Sequence, residues 1–251
     1  MTPKEVLDFA KKNEAKILDL KFIDLLGSWQ HFSVPISELE VSLFEEGLGF
    51  DGSSIRGWQA INNSDMLVIP DSTTAIMDPF MNVSTLNLLC NIVDPITKEK
   101  YSKDPRNIAQ KAEAYLKSTG IGDTAYFGPE PEFFIFDDVK YRNEMGRAMY
   151  EIESEEAAWM SHSAFEGGNI GHRPGVKGGY FPVPPVDSML DIRNSMCTAM
   201  ETMGLTIDLH HHEVGTAGQG EIGVRFNTLV NKADEVQIYK YCVHNVAHAY
   251  G

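Results

Sequence analysis

Four glutamates stand in two acidic motifs that could bind a divalent cation. In the segment FGPEPEFFIFD, Glu130 and Glu132 lie two residues apart, so on a strand they would project to the same face. Glu213 and Glu221 flank the stretch VGTAGQG, where a glycine-rich hairpin would bring their carboxylates together. Such oxygen ligands suit Mg²⁺ or Mn²⁺. The alternative is a set of unrelated exposed acids, which a chain with 36 acidic residues makes common.

Three consecutive histidines precede one of these acids in the segment DLHHHEV. Strand alternation puts Asp208, His210 and His212 on one face, and His211 with Glu213 on the other. The three histidines therefore cannot all bind one metal from a regular strand. A structural zinc site is also disfavoured, because no cysteine lies close in the sequence.

The segment FDGSSIRGW has the composition of a tight turn. Asp51 is followed by glycine and two serines, of which the second is Ser54. Taken alone the segment is a surface loop. The aromatic side chains of Phe50 and Trp58 on either side indicate a loop held in place by packing.

Composition and charge narrow the class of protein. A net charge of −15 argues against a nucleic acid or an anionic membrane as the main partner. It remains compatible with a phosphate substrate if metal ions supply positive charge. The three cysteines are widely spaced and suggest no disulfide framework, so we expect a cytoplasmic protein. No apolar run is long enough to span a bilayer.

The pattern of elements indicates two domains that must position these residues. A helix from Pro3 and four strand-like segments predict a small mixed sheet over residues 1–103. Asp104 as N-cap and Pro105 at the first helical position begin a second block, residues 104–251. In that block we expect TAYFGPEPEFFIFDD to be one strand entering a core, and residues 141–178 to be long loops. Two helices and two further strands complete it.

Five motifs resemble the bacterial type I glutamine synthetase family: FDGSSIRGW, FGPEPEFFIFD, GGNIGHRPGVKGGYFPVPPVDS, HHHEVGTAGQGEIGVRFNT and KADEVQIYKYCVHNVAH. Their order and their spread over the whole chain make chance agreement implausible. The resemblance implies an α+β protein with an N-terminal β-grasp domain. Part of a catalytic domain with a curved antiparallel sheet would follow. It also implies self-association into two stacked six-membered rings, with each active site lying between neighbouring subunits.

The resemblance assigns roles to particular residues. Glu132, Glu213 and Glu221 match the ligands of one metal ion, and Glu130 matches a ligand of a second. Among the other site residues, Asp51 with Ser54 nearby matches the latch that binds ammonium and accepts its proton, and His211 matches a histidine near the reacting glutamate. Two further residues, Asp208 and Phe226, match nucleotide-contacting positions, although the family often has glutamate where Asp208 stands.

The implied reaction is ATP-dependent ligation of ammonia to the γ-carboxylate of L-glutamate through γ-glutamyl phosphate. Two Mg²⁺ or Mn²⁺ ions per site would screen the repulsion between the glutamate carboxylate and the phosphates of ATP. The family continues for a comparable length beyond residue 251, so we expect a fragment with little or no activity by itself. The alternatives are a γ-glutamyl-amine or polyamine ligase, and a non-catalytic regulatory half-subunit that joins synthetase rings.

Overall fold

The computed structural model describes residues 1–165, 168, 171 and 173–251. Four positions of the motif GGNIGHRPG, and the residue directly before it, lie outside the described residues. All five belong to the stretch 141–178, for which long loops are expected. The helices are α1 (Pro3–Lys12), α2 (Leu43–Glu46), α3 (Pro105–Thr119), α4 (Leu190–Thr202) and α5 (Leu229–Tyr250). The strands are β1 (Ile17–Ile23), β2 (Trp29–Pro35), β3 (Leu48–Asp51), β4 (Asp65–Pro70), β5 (Ile76–Met77), β6 (Thr85–Val93), β7 (Tyr126–Phe127), β8 (Glu132–Phe134), β9 (Asp138–Glu144), β10 (Arg147–Glu153), β11 (Ile207–His212), β12 (Gln219–Val224) and β13 (Asn227–Thr228).

The chain forms two compact units. The first contains Met1–Phe127 and Asn227–Ile238, and the second contains Gly128–Phe226 and Tyr239–Gly251. Helix α5 is therefore divided between them. These units are defined by contacts within the structure, whereas the boundary predicted after residue 103 separates two domains along the sequence. That boundary stays a prediction.

The first unit is built on a mixed sheet, as the sequence predicts. Its strand order is β2-β1-β6-β4-β3, with β5 paired to β6. Strands β1 and β6 are parallel, and the other pairs are antiparallel. The small apolar side chains of Val6 and Ala10 on α1 belong to the same buried cluster as Leu18 and Leu20 on β1. This apolar burial is the main force that holds the sheet and the helix together.

Helix ends in the first unit follow the capping residues in the sequence. Thr2 and Glu5 form a capping box at the start of α1. The side chain of Asp104 accepts a hydrogen bond from Arg106 N at the start of α3. Gly120 ends α3 in the left-handed conformation, which glycine adopts without a steric penalty.

Helix α4 and two antiparallel sheets are the main elements of the second unit. Strands β11, β12 and β8 form a three-stranded sheet in that order, and β9 with β10 forms a separate hairpin. Two sequence-based expectations are wrong here. The segment TAYFGPEPEFFIFDD is divided between β7 and β8, and residues 138–153 form the hairpin where loops were expected from 141 onward.

Both errors have a physical cause. Most side chains of β9 and β10 are exposed, so their sequence carries little burial alternation. The FFIF run is only partly buried, with Phe134 exposed to 47%, so its apolarity does not mark a fully buried strand.

In the part of the chain that the structure describes, no helix is both long and apolar enough to cross a membrane.

Candidate metal centre

One row of paired residues crosses the three-stranded sheet of the second unit. His211 on β11 is opposite Glu221 on β12, and Glu221 is opposite Glu132 on β8. Residues directly opposite in an antiparallel sheet project to the same face. The sheet register therefore gathers one imidazole and two carboxylates that are far apart in the sequence.

Glu213 adds a third carboxylate directly after β11. His211 Nδ1 lies 3.6 Å from Glu213 Oε1, and His211 Nε2 lies 3.6 Å from Glu221 Oε2. One ligand atom from each of these three residues lies within 4.8 Å of the other two. The side chains are largely shielded, since each of the three is only 13–14% exposed. This arrangement could hold a metal ion.

Glu132 and Glu130 approach the cluster in different ways. Strand β8 begins at Glu132, whose Oε2 accepts a hydrogen bond from Gln219 Nε2. Glu130 lies before the strand in irregular backbone, so the predicted placement of both acids on one strand face is wrong. Glu130 is nevertheless close enough for its charge to act on Glu221.

The electrostatics favour a cation at this position. Burial raises the pKa of Glu221 above its usual value, and the charges of Glu130 and Glu213 raise it further, against an opposing effect of His211. Carboxylates that repel one another in a partly buried place are stabilised by a positive charge between them. The donor set of carboxylates with one imidazole fits a hard divalent ion such as Mg²⁺ or Mn²⁺.

The other two histidines face away from the acids, as strand alternation predicts. His212 is 1% exposed, and its Nε2 lies 2.8 Å from Glu156 Oε2. Burial lowers the pKa of His212, but the hydrogen bond to Glu156, the charge of Glu156 and hydrogen bonds to the backbone together outweigh burial and raise it. Burial lowers the pKa of His210, and the nearby positive charge of Arg193 lowers it further.

The turn between Glu213 and Glu221 is held by contacts that sequence reasoning missed. Glu156 accepts hydrogen bonds from Gly218 N and from His212, and it is 0% exposed. Gly179 also packs closely against this segment, since a Cβ there would lie 2.6 Å from the carbonyl oxygen of Glu213. No signal in the sequence identified Glu156, although the Gly-Gly pair in KGGYF marks a place of close backbone approach.

Two aromatic rings flank the candidate centre. The Phe181 ring lies 4.6 Å from the His211 ring and the Tyr180 ring lies 5.5 Å from it, both in edge-on geometry. The rings of Tyr180 and Phe181 also stack on each other. These contacts restrict the orientation of His211.

The predicted ammonium latch lies in the first unit, at the end of β3. Asp51 Oδ1 accepts hydrogen bonds from Ser53 N at 2.8 Å and Ser53 Oγ at 2.6 Å, and Oδ2 accepts one from Ser54 Oγ at 2.9 Å. These bonds, from Ser53 first and then Ser54, lower the pKa of Asp51. Asp51 is exposed, and with its lowered pKa the carboxylate is ionised at neutral pH.

The two predicted nucleotide contacts lie near the far end of the three-stranded sheet. Asp208 lies at an irregularity in β11 and pairs with Arg225 at 3.0 Å. Phe226 follows β12 and is 61% exposed. Both side chains are accessible to a ligand in this chain.

These observations define an α+β protein that carries a candidate divalent-metal centre on an antiparallel sheet. The β-grasp domain model of glutamine synthetase matches residues 14–95, and the catalytic domain model of glutamine synthetase matches residues 102–251. The chain belongs to the glutamine synthetase family. The predicted fold, with an N-terminal β-grasp domain followed by catalytic-domain sequence, is confirmed.

Relatives named glutamine synthetase are similar along the whole chain. The protein from Methylococcus capsulatus is 60% identical over 251 residues, which are 100% of this chain and 54% of the relative. The protein from Azotobacter vinelandii is 59% identical over 245 residues, which are 98% of this chain and 52% of the relative. The chain thus spans about half the length of the curated relatives it matches.

Solved structures show the same fold. The glutamine synthetase of Plasmodium falciparum has a TM-score of 0.89 and 26% identity, over 100% of this chain and 49% of that chain. A structure described as a GmaS/ADP complex has a TM-score of 0.73 and 22% identity, over 100% of this chain and 50% of that chain. The second similarity concerns the fold alone.

Proposed function

We propose that this chain supplies the metal-binding carboxylates and the ammonium latch of an ATP-dependent glutamate–ammonia ligase. The reaction joins ammonia to the γ-carboxylate of L-glutamate through γ-glutamyl phosphate, giving L-glutamine, ADP and phosphate. The row His211–Glu221–Glu132, with Glu213 beside it, carries this proposal, because the register alone brings these residues to one face. Family membership supports the reaction type.

The four acids have the chemistry that the first step needs. Glu132, Glu213 and Glu221 would hold one Mg²⁺ or Mn²⁺ ion, and Glu130 would be a ligand of a second. When bound, these ions screen the repulsion between the γ-carboxylate of glutamate and the phosphates of ATP. The acids repel one another without a cation, so ion binding and the order of the site are coupled.

The remaining site residues have separate roles. Asp51 binds ammonium as a cation and then accepts its proton, and Ser54 keeps the carboxylate oriented through its hydrogen bond. His211 contacts the reacting glutamate. Asp208 and Phe226 contact the nucleotide, for which their exposure leaves access.

We further propose the assembly and location that the family implies. These are self-association into two stacked hexameric rings, with the active sites between subunits, and a cytoplasmic protein. The absence of disulfides among Cys90, Cys197 and Cys242 is consistent with a reducing compartment.

A chimera tests the proposed reaction. This chain would replace the matching 251 residues of the Methylococcus capsulatus glutamine synthetase. We expect ATP-dependent phosphate release that needs both glutamate and ammonium, and its loss in Glu221→Gln. Glu144→Gln is the matched control, because its side chain is 66% exposed on the hairpin. A preference for ethylamine or putrescine over ammonium would overturn the proposed acceptor and favour an amine ligase.

An active chimera that does not respond to Glu221→Gln would overturn the proposed metal centre. The regulatory alternative makes a different prediction. In that case the unmodified chain would enter rings of the full-length relative and alter its rate, while the chimera would be inactive. Size-exclusion chromatography of the mixture, followed by activity measurement, separates these outcomes.

A further inference from the structure

A carboxylate with no solvent exposure connects three parts of the second unit. Glu156 Oε1 accepts hydrogen bonds from Ser188 N at 3.0 Å and Ser188 Oγ at 2.8 Å. Glu156 Oε2 accepts bonds from Gly218 N at 2.9 Å and from His212 Nε2 at 2.8 Å. Each oxygen thus has two donors, which is the full capacity of a carboxylate.

His212 links Glu156 to the backbone of Glu213, one of the candidate metal ligands. Its Nδ1 lies 2.6 Å from the carbonyl oxygen of Glu213, while its Nε2 faces Glu156. A carbonyl and a carboxylate only accept hydrogen bonds, so both ring nitrogens donate. The imidazole is a rigid bridge between Glu156 and the backbone of Glu213.

The second contact of Glu156 fixes the other end of the turn. Gly218 N donates to Glu156, and the next residue, Gln219, accepts a backbone hydrogen bond from Glu213 N at 2.8 Å. Gln219 Nε2 also donates to Glu132. One buried carboxylate therefore contacts the chain at residue 212, directly before Glu213, and at residue 218, within the turn that leads to Glu221.

We propose that Glu156 is a positioning residue, which sets the separation of the Glu213 and Glu221 carboxylates through His212 and the N–H of Gly218. The inference rests on the proposed function of these two glutamates as metal ligands. Outer groups that orient ligands typically change metal affinity by about 10–100-fold when they are replaced.

Stability alone is a poor explanation for this pair. A buried ion pair is often no more stabilising than apolar side chains of the same volume, because desolvation offsets the attraction. Directional bonds to fixed backbone groups are what the pair adds over an apolar core. Here those groups are the carbonyl of Glu213 and the N–H of Gly218, the two places where the turn meets the sheet.

Manganese binding to the whole chain tests the proposal. Mn²⁺ is titrated by electron paramagnetic resonance, which counts free ion, and hydrogen exchange of the Gly218 amide is followed in the same samples. For Glu156→Gln we expect a Kd for Mn²⁺ about tenfold or more weaker, with faster exchange at Gly218. Met200→Ala is the matched control, because it removes a side chain with 0% exposure from helix α4 of the same unit.

The outcomes separate this inference from the proposed function. If Glu221→Gln abolishes Mn²⁺ binding but Glu156→Gln binds as the unmodified chain does, the positioning role is overturned and the metal site stands. If Met200→Ala weakens binding as much as Glu156→Gln, the effect is general destabilisation and the inference falls. If the unmodified chain binds no Mn²⁺, both fall.

His212→Gln serves as the second variant if Glu156→Gln does not fold. Its amide can still donate to Glu156 while the bridge to the Glu213 carbonyl is lost. We expect weaker Mn²⁺ binding with slow exchange retained at Gly218, since that amide keeps its bond to Glu156. Unchanged affinity in this variant would overturn the proposal.

Discussion

Replacing Gly179 by alanine should disturb the candidate metal centre from outside the ligand set. A Cβ at this position would lie 2.6 Å from the carbonyl oxygen of Glu213, and 2.7 Å and 2.8 Å from two ring atoms of His212. Ordinary contact begins at 3.4 Å, so the backbone of Glu213 or of Gly179 must move by about 0.8 Å, the difference between 3.4 Å and 2.6 Å. The atoms in contact are a backbone carbonyl oxygen and an aromatic ring, neither of which is the mobile end of a flexible side chain.

Two consequences follow from this displacement. Overpacking of a buried position typically lowers the free energy of unfolding by about 1–3 kcal/mol. Metal–ligand distances vary by only about 0.2 Å in well-formed sites, so a shift of this size at Glu213 should weaken Mn²⁺ binding by about tenfold or more. The loss of affinity should exceed what the loss of stability produces in an unrelated variant.

The assay combines urea unfolding with a Mn²⁺ titration at a urea concentration where the variant is fully folded. Gly146→Ala is the matched control, because a Cβ at Gly146 meets nothing within 4 Å and its φ lies outside the range unfavourable to alanine. We expect the control to keep both its stability and its Kd. A folded Gly179→Ala protein with unchanged Mn²⁺ affinity would refute the reasoning that links this contact to the ligand carboxylates.

Three further predictions concern charge. Glu221→Gln should not destabilise the metal-free protein, because the pKa of Glu221 is raised by burial and by repulsion from Glu130 and Glu213; urea unfolding in EDTA measures this. Mn²⁺ at about 100 times its Kd should stabilise the second unit by about 2.7 kcal/mol, and EDTA or Glu221→Gln should remove the effect in thermal melts. Asp19→Asn should cost about 3–5 kcal/mol at pH 7, because buried Lys21 loses the carboxylate that balances its charge. Burial raises the pKa of Asp19, but Lys21 and the other hydrogen-bond donors outweigh burial and lower it below its ordinary value of 3.8. The stability advantage over Asp19→Asn is therefore present above about pH 3.8 and disappears as the pH falls through the lowered pKa. Unfolding curves from pH 2 to 7 measure this.

Local sequence signals were sufficient for much of the first unit. Thr2 and Asp104 begin helices because their side chains accept hydrogen bonds from backbone N–H groups within the first turn. Gly120 ends a helix because the left-handed conformation suits glycine. These interactions span only a few residues, so the sequence contains the whole cause. The alternating pattern of β1 is also local, although its second face buries Asp19 and Lys21 as a polar pair.

Long-range contacts explain what could not be predicted. The partners of Glu156 are Ser188, His212 and Gly218, which are separated from it by 32, 56 and 62 positions. Periodicity in the sequence cannot predict contacts between residues that are so far apart along the chain. The prediction that Glu130 lies on the same strand as Glu132 is wrong for a different reason. Pro131 has no N–H to donate to a neighbouring strand, and the strand begins only after it.

Burial on the opposite face determines which way the ligand candidate on β12 points. Ile222 is 0% exposed, and it follows Glu221 directly, so its side chain projects to the other side of the sheet. A slip of one residue in the register would turn Ile222 toward the acids and drive Glu221 into the core. Burial of a side chain of this size is worth about 1.5–3 kcal/mol, and a buried unpaired carboxylate would add a further penalty. The orientation of the acid is therefore set by an apolar neighbour that takes no part in binding.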